Sequence, residues 1–219
     1  MPRTITVKGT GNVKIPPDMT VVSLTLRSLN KDYEKSMKEA AAQLTGLRES
    51  LAKVGFGEKD LKTSNFNVVT ENRSVRDENG NYKSEFVGYS CIQSLILEFD
   101  FDTDVLAKVL SAISSSVADP ELNVSFTVRD KNAVSEALLR SATENALAKA
   151  TVLADASKMK LGTLLSIDYN WGQINVVSNT GFMMEKRCMA MNDCVEEAMA
   201  FTPEDISVSD SVSFVWEMA

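Results

Sequence analysis

From Val22 to Arg27 apolar and polar residues alternate one by one, and from about Lys31 the apolar positions recur every third or fourth residue. Val22, Leu24 and Leu26 oppose Ser23, Thr25 and Arg27, whereas Tyr33, Met37, Ala40, Leu44, Leu47, Leu51 and Val54 form a stripe. A period of two marks a strand with one buried face, and steps of three and four mark one side of a helix. A chain that switches repeatedly between the two must lay helices on sheets, because neither element can bury its apolar side alone.

The switching can be followed along the chain. A strand is expected over about Thr4 to Ile15, with Gly9 and Gly11 inside it as marks of a bulge or bend. Pro16-Pro17-Asp18 punctuates, and the strand of Val22 follows. Asp32 is positioned as the N-cap of the first helix, and Gly55 stands where it should stop. Phe66, Val68 and Thr70 begin a hairpin whose turn signal is Asn79-Gly80, since both residues tolerate positive φ. Its return strand carries Tyr89, Cys91, Gln93, Leu95, Leu97 and Phe99 on one face. Asp102 or Thr103 caps a helix with Val105, Leu106, Val109, Leu110, Ile113 and Val117, closed by Asp119-Pro120. A strand over Leu122 to Val128 precedes a long helix from Asp130 or Asn132 to about Met159, rich in alanine. Small side chains let such a helix lie close to its neighbour. Strands over Leu161 to about Trp171 and Ile206 to Trp216 complete the pattern, with a bulge expected at Asp210-Ser211. The strand–helix–strand order recurs over Met19 to Thr70 and Leu122 to Trp171, with little residue identity. The order β-β-α-β-β-α-β-α-β-insert-β gives an α+β fold, a mainly antiparallel sheet with helices packed on it.

Composition removes several function classes. The 219 residues carry 44% hydrophobic side chains, enough for a real core, and a net charge of −7 that disfavours nucleic acid. There is no histidine, which excludes Ser-His-Asp and Cys-His chemistry and the commonest metal ligand. Three cysteines, Cys91, Cys188 and Cys194, give no disulfide framework. No run approaches the roughly 18 apolar residues of a membrane helix, and no apolar leader precedes the first strand. The chain as given reads as cytoplasmic, or as periplasmic if a leader was removed.

Several fragments stand in a telling order: Ile5-Thr6-Val7-Lys8-Gly9-Thr10-Gly11, Pro16-Pro17-Asp18-Met19-Thr20-Val21, Asp60-Leu61-Lys62-Thr63-Ser64, Gly88-Tyr89, Leu122-Asn123-Val124-Ser125-Phe126 and Leu139-Arg140-Ser141-Ala142, leading on to Leu161-Gly162. In this order the chain resembles the SIMPL-domain family, a domain of unknown function that includes periplasmic immunogenic proteins and a signalling adaptor. The resemblance covers Thr4 to Trp171 and Ile206 onward. It implies an α+β fold, no established enzymatic activity, homo-oligomers of ring or channel type and, in some members, a link to oxidative stress. It implies no cofactor and carries no catalytic residue. One SIMPL-like domain over 1–219 is expected, with an insert at about 172–203 that matches no motif of the family.

Each candidate site has a plain alternative. Gly9-Thr10-Gly11 lacks the third glycine of a phosphate loop and reads as a strand bulge. Asp18 reads as a turn residue bonding local amides, against a subunit contact. Gly88-Tyr89 reads as packed strand, against a binding site. Arg140, four residues from both Glu136 and Glu144, reads as an ion-pair ladder. Asp193, Glu196, Glu197, Glu204 and Asp205 read as a solvated face rather than a cation site. The insert holds half of the chain's ten methionines, Met183, Met184, Met189, Met191 and Met199, with Cys188 and Cys194. On a helix Met184, Cys188 and Met191 would share a face, and soft ligands of this kind suit Cu(I), so Cys188, Cys194, Met184 and Met191 are the metal or redox candidates. The alternative is a methionine-rich surface against the core, a second subunit or another protein. A homo-oligomeric structural or interaction module is the leading function, ahead of a soft-metal or redox-responsive binder and of an enzyme.

Overall fold

The fold is known from a computed structural model, which describes residues 3–76, 81–170, 172, 174–184 and 202–219. In chain order its elements are β1 Arg3–Ile15, β2 Met19–Asn30, α1 Tyr33–Ala52, β3 Leu61–Arg76, β4 Tyr82–Asp100, α2 Thr103–Ser114, β5 Glu121–Thr127, α3 Lys131–Ala156, β6 Leu161–Asp168, β7 Val177–Met184 and β8 Ile206–Met218. The expected α+β class is correct, and β7 is a strand inside the segment expected as an insert. Every strand pair with a defined register runs antiparallel. The chain divides into two compact units, one of residues 1–18, 127–179 and 203–219, the other of residues 19–126 and 180–202.

The larger unit is built on a sheet of order β3-β4-β2-β5-β7. The alternation of β2 places Val22, Leu24 and Leu26 in the core, where they meet Leu95 and Leu97 of β4 and Val124 and Phe126 of β5. Leu47 and Leu51 of α1 and Leu106, Val109, Leu110 and Ile113 of α2 cover this face. Both helices begin where a carboxylate can take their free amides. Asp32 Oδ1 accepts from the amides of Glu34 at 2.9 Å and Lys35 at 3.3 Å, and Asp102 Oδ1 accepts from those of Asp104 at 2.8 Å and Val105 at 3.0 Å. Gly55 ends the first helical run in the left-handed region, at φ 104°. Val117, expected on the stripe of α2, lies beyond its end and is 94% exposed. Cys91 is buried, and burial pushes its thiol pKa up against a hydrogen bond with Ser28.

The smaller unit holds a sheet of order β1-β8-β6 covered by α3. Here two expectations are corrected. β1 and β8 pair without a register shift from Arg3↔Met218 to Ile15↔Ile206, so neither Gly9-Gly11 nor Asp210-Ser211 is a bulge. The glycines serve a close approach instead. A Cβ on Gly9 would lie 2.0 Å from the Ala142 carbonyl oxygen and 2.7 Å from the Ala146 Cβ, and one on Gly11 would lie 2.1 Å from the Leu138 carbonyl oxygen. Ala142, Ala146, Ala150 and Ala154 of α3 are all buried, and Val7, Val212, Phe214 and Trp216 complete this core. Asp210 falls in the same inward row of β8 as Val212 and Phe214. Its carboxylate accepts the Tyr169 hydroxyl at 2.9 Å and the Ser211 amide at 2.7 Å. The expected recurrence of two strand–helix–strand blocks is not matched in the sheets: β2 and β3 share one, whereas β5 and β6 lie in different ones. α3 stops short of Met159 because Lys158 turns left-handed at φ 56°.

Two glycines give opposite expectations. Gly11→Ala drives a methyl into the backbone of α3 and should lower the unfolding free energy by about 1–3 kcal/mol. Gly46→Ala, inside α1 with nothing within 4 Å of its added methyl, should raise it by about 0.5–1 kcal/mol. Urea unfolding of the two variants checks both signs. In a Cys188→Ser/Cys194→Ser background, Cys91 should stay unmodified by iodoacetamide until urea reaches the unfolding transition. Rapid alkylation in buffer would show that β4 is not held in the core.

Candidate interaction surface

The longest strands of the fold outrun the sheet that holds them. β4 pairs with β2 from Asn30↔Tyr89 to Met19↔Asp100, but it pairs with β3 as far as Arg76↔Tyr82. Beyond Asn30 the hairpin is therefore two strands wide, with Asn72–Arg76 against Tyr82–Phe86. At about 3.3 Å per residue this arm reaches some 17–20 Å. Its tip, including the expected Asn79-Gly80 turn, lies outside the described residues.

The root of the arm is fixed by local chemistry. Gly88 sits where a Cβ would come within 2.6 Å of the Asn30 carbonyl oxygen, so a larger residue would push β4 off the end of β2. Beside it the pairing steps from Glu71↔Gly88 to Asn72↔Phe86, leaving Val87 as the extra residue of a bulge. Bulges sharpen the local twist of a ribbon, here at the point where a third strand is lost. Tyr89 stands edge-on to Tyr33 at 5.6 Å and to Phe86 at 5.4 Å between ring centres, which ties the arm to the start of α1. Gly88-Tyr89 is thus packed strand, and the tyrosine is also the hinge-side anchor of an exposed feature.

The arm itself faces water. Tyr82 is 78% exposed, Phe86 45% and Val75 37%. Arg73 donates to Glu85 across the hairpin at 2.9 Å, and that guanidinium holds the Glu85 carboxyl below its usual range. A second exposed apolar row lies on β6, an edge strand, where Leu164, Leu165 and Ile167 are all open to solvent.

No arrangement of reacting groups accompanies these surfaces among the described residues. A shallow cavity of about 580 Å³ between β1 and α3 is lined by Thr6, Val7, Lys8, Ala148, Lys149, Val152 and Leu153, and its ionisable groups are two lysines. Lys149 Nζ donates to the Lys8 carbonyl oxygen at 3.2 Å. Another of about 350 Å³ lies along the outer side of α3 at Glu136, Arg140 and Glu144, where Arg140 pairs with Glu136 as expected for an exposed ladder. Among the described residues there is no group of three metal-ligating side chains, and no helix is long and apolar enough to cross a membrane.

Most of the methionine and cysteine candidates lie beyond β7. Met183 lies in β7 and is 75% exposed. Met184 ends the same strand, so the helical spacing that would align it with Cys188 and Met191 does not start there. Cys188, Met189, Met191, Cys194 and Met199 lie outside the described residues, as do Asp193, Glu196 and Glu197. Glu204 and Asp205 precede β8, where Asp205 pairs with Lys14 at 3.5 Å. Asp18 does not bond local amides. Its Oδ1 accepts the Arg129 amide at 2.7 Å, 111 residues away, and its own amide donates to the Thr127 carbonyl at 3.1 Å. The carboxylate thus pins the β1–β2 turn to the start of the segment leading into α3. The arm escaped the periodicity because both of its faces are exposed. The available signal was length: β3 has 16 residues and β4 19, against 12 in β2.

Two curated proteins and one family model match this chain. The chain is 26% identical over 166 residues to the 26 kDa periplasmic immunogenic protein of Brucella melitensis biotype 1, and 25% identical over the same length to the protein of that name from Brucella abortus. Each match covers 76% of this chain and 66% of the relative, so the chain spans just under two thirds of those proteins. A family model, described as SIMPL, protein of unknown function (DUF541), matches residues 5–216, across both compact units. The chain belongs to the SIMPL family.

Proposed function

We propose that this protein is a non-enzymatic interaction module that assembles with copies of itself. The observation that carries it is the hairpin arm, a ribbon two strands wide with Tyr82, Phe86 and Val75 in water. Two-stranded hairpins are marginal alone, and an exposed strand edge bearing aromatic residues is a template for pairing with another chain. The open apolar row of β6 supports the same reading. Against catalysis stands the lack of histidine, and among the described residues the cavity between β1 and α3 offers only two lysines as ionisable groups. A deep site with converging acid and base groups would be needed for an enzyme. The names of the Brucella proteins support a periplasmic setting for such an assembly.

Light scattering on the reduced protein during gel filtration, over a range of concentrations, tests this directly. A discrete multimer is expected at micromolar protein. A monomer of 24.0 kDa at every concentration would remove self-assembly as the function.

A further inference from the structure

The arm has two edges, and their charges differ. The outer edge, on β3, reads Asn72-Arg73-Ser74-Val75-Arg76 and carries cations only. Charged side chains on an outer edge are one of the devices that blunt pairing with another chain. The inner edge, on β4, reads Tyr82-Lys83-Ser84-Glu85-Phe86-Val87, and β2 stops before reaching it. Among the described residues nothing pairs with this stretch on that side.

We propose that two copies of the chain join arm to arm, the free edge of β4 pairing antiparallel with itself about a two-fold axis at Ser84. This rests on the self-assembly reading above and names its contact. The segment is self-complementary in that register. Lys83 meets Glu85 of the other copy, Glu85 meets Lys83, and Tyr82 meets Phe86. Facing opposite charges and facing aromatic rings both stabilise antiparallel pairs. Moving the axis to Lys83 or Glu85 sets like charges together. The half-step slides set each charge against a neutral side chain. Only the Ser84 axis satisfies all four charges. Glu85 then lies between Arg73 of its own hairpin, already at 2.9 Å, and Lys83 of the other copy. The two ribbons become one sheet of order β3-β4-β4-β3, which supplies each arm with the third strand it lacks. An isologous contact of this kind closes on itself rather than propagating.

The test is disulfide trapping in a Cys188→Ser/Cys194→Ser background, with diamide as oxidant. Facing residues of an antiparallel pair lie about 4.5–5.5 Å apart, within disulfide reach. Ser84→Cys should therefore give a covalent dimer. Ser74 faces Ser84 within the hairpin. Two copies of it would be separated by three strand spacings, about 14 Å, so Ser74→Cys should give none. Independently, Lys83→Glu and Glu85→Lys should each weaken the uncross-linked dimer about tenfold, and an equimolar mixture of the two should restore it. Raising salt from 0.1 to 1 M, which shortens the screening length from about 10 to 3 Å, should weaken the parent dimer as well. A parent multimer whose Ser84→Cys form stays uncross-linked would overturn this contact and leave self-assembly standing. Cross-linking of Ser74→Cys instead, or failure of the mixture to regain the dimer, would also overturn it. A monomeric parent would overturn both readings.

Discussion

The approach of α3 to β1 is the constraint on which the smaller unit depends. The backbone of Gly9 and Gly11 lies against the Leu138 and Ala142 carbonyls of the helix, with the Ala146 methyl beside them. Close packing of this kind leaves no slack: any added methyl must displace a whole element. It also explains why a helix rich in alanine has a definite buried side. Its inward residues, Val134, Leu138, Ala142, Ala146, Ala150 and Ala154, shrink where the glycines pass. The outward leucines and valine, Leu147, Val152 and Leu153, remain in solvent.

The larger unit follows a different rule. Its core is made of large aliphatic side chains on β2, β4 and β5 under two helices, and its precision lies at the ends of elements. Asp32 and Asp102 fix where the helices begin, and Gly55 fixes where one ends. Gly88 fixes where β2 gives up its partner. What remains of β3 and β4 beyond that point is held by one partner strand and by the Tyr33–Tyr89–Phe86 contacts. A ribbon so placed has backbone groups and aromatic surface available to another chain.

The class of every element but β7 is legible because its cause is local. The stripe over Tyr33 to Val54 and the alternation of Val22, Leu24 and Leu26 are one-sided burial written into spacing. The cap at Asp32 is legible because an acidic residue before an apolar stripe satisfies free amides, and the structure chooses Asp102 over Thr103 and Asp130 over Asn132. Gly9-Gly11 and Asp210-Ser211 mislead for one reason. Glycine and polar residues inside a strand suggest a bulge when the other side of the contact is unseen. Here the other side is α3 for the glycines and Tyr169 for the aspartate. Asp18 likewise reads as local in the sequence, although its partner is Arg129. The strand β7 was hidden because Val177 to Met184 lacks clean alternation, and its neighbour β5 lies far back in the sequence.

By itself, then, the sequence determined the α+β class, the helix starts to within one or two residues, the stop at Gly55 and the exclusion of histidine-based chemistry. All of these depend on residues within a few positions of one another, or on composition. The tertiary structure decided which glycines admit a helix, which carboxylate reaches across the chain, and how far a hairpin extends past its sheet. Those depend on where a distant strand ends. Whether Tyr82 to Val87 is core or surface is set by the length of β2 and the position of Asn30, about fifty residues earlier, and no spacing within the hairpin records it.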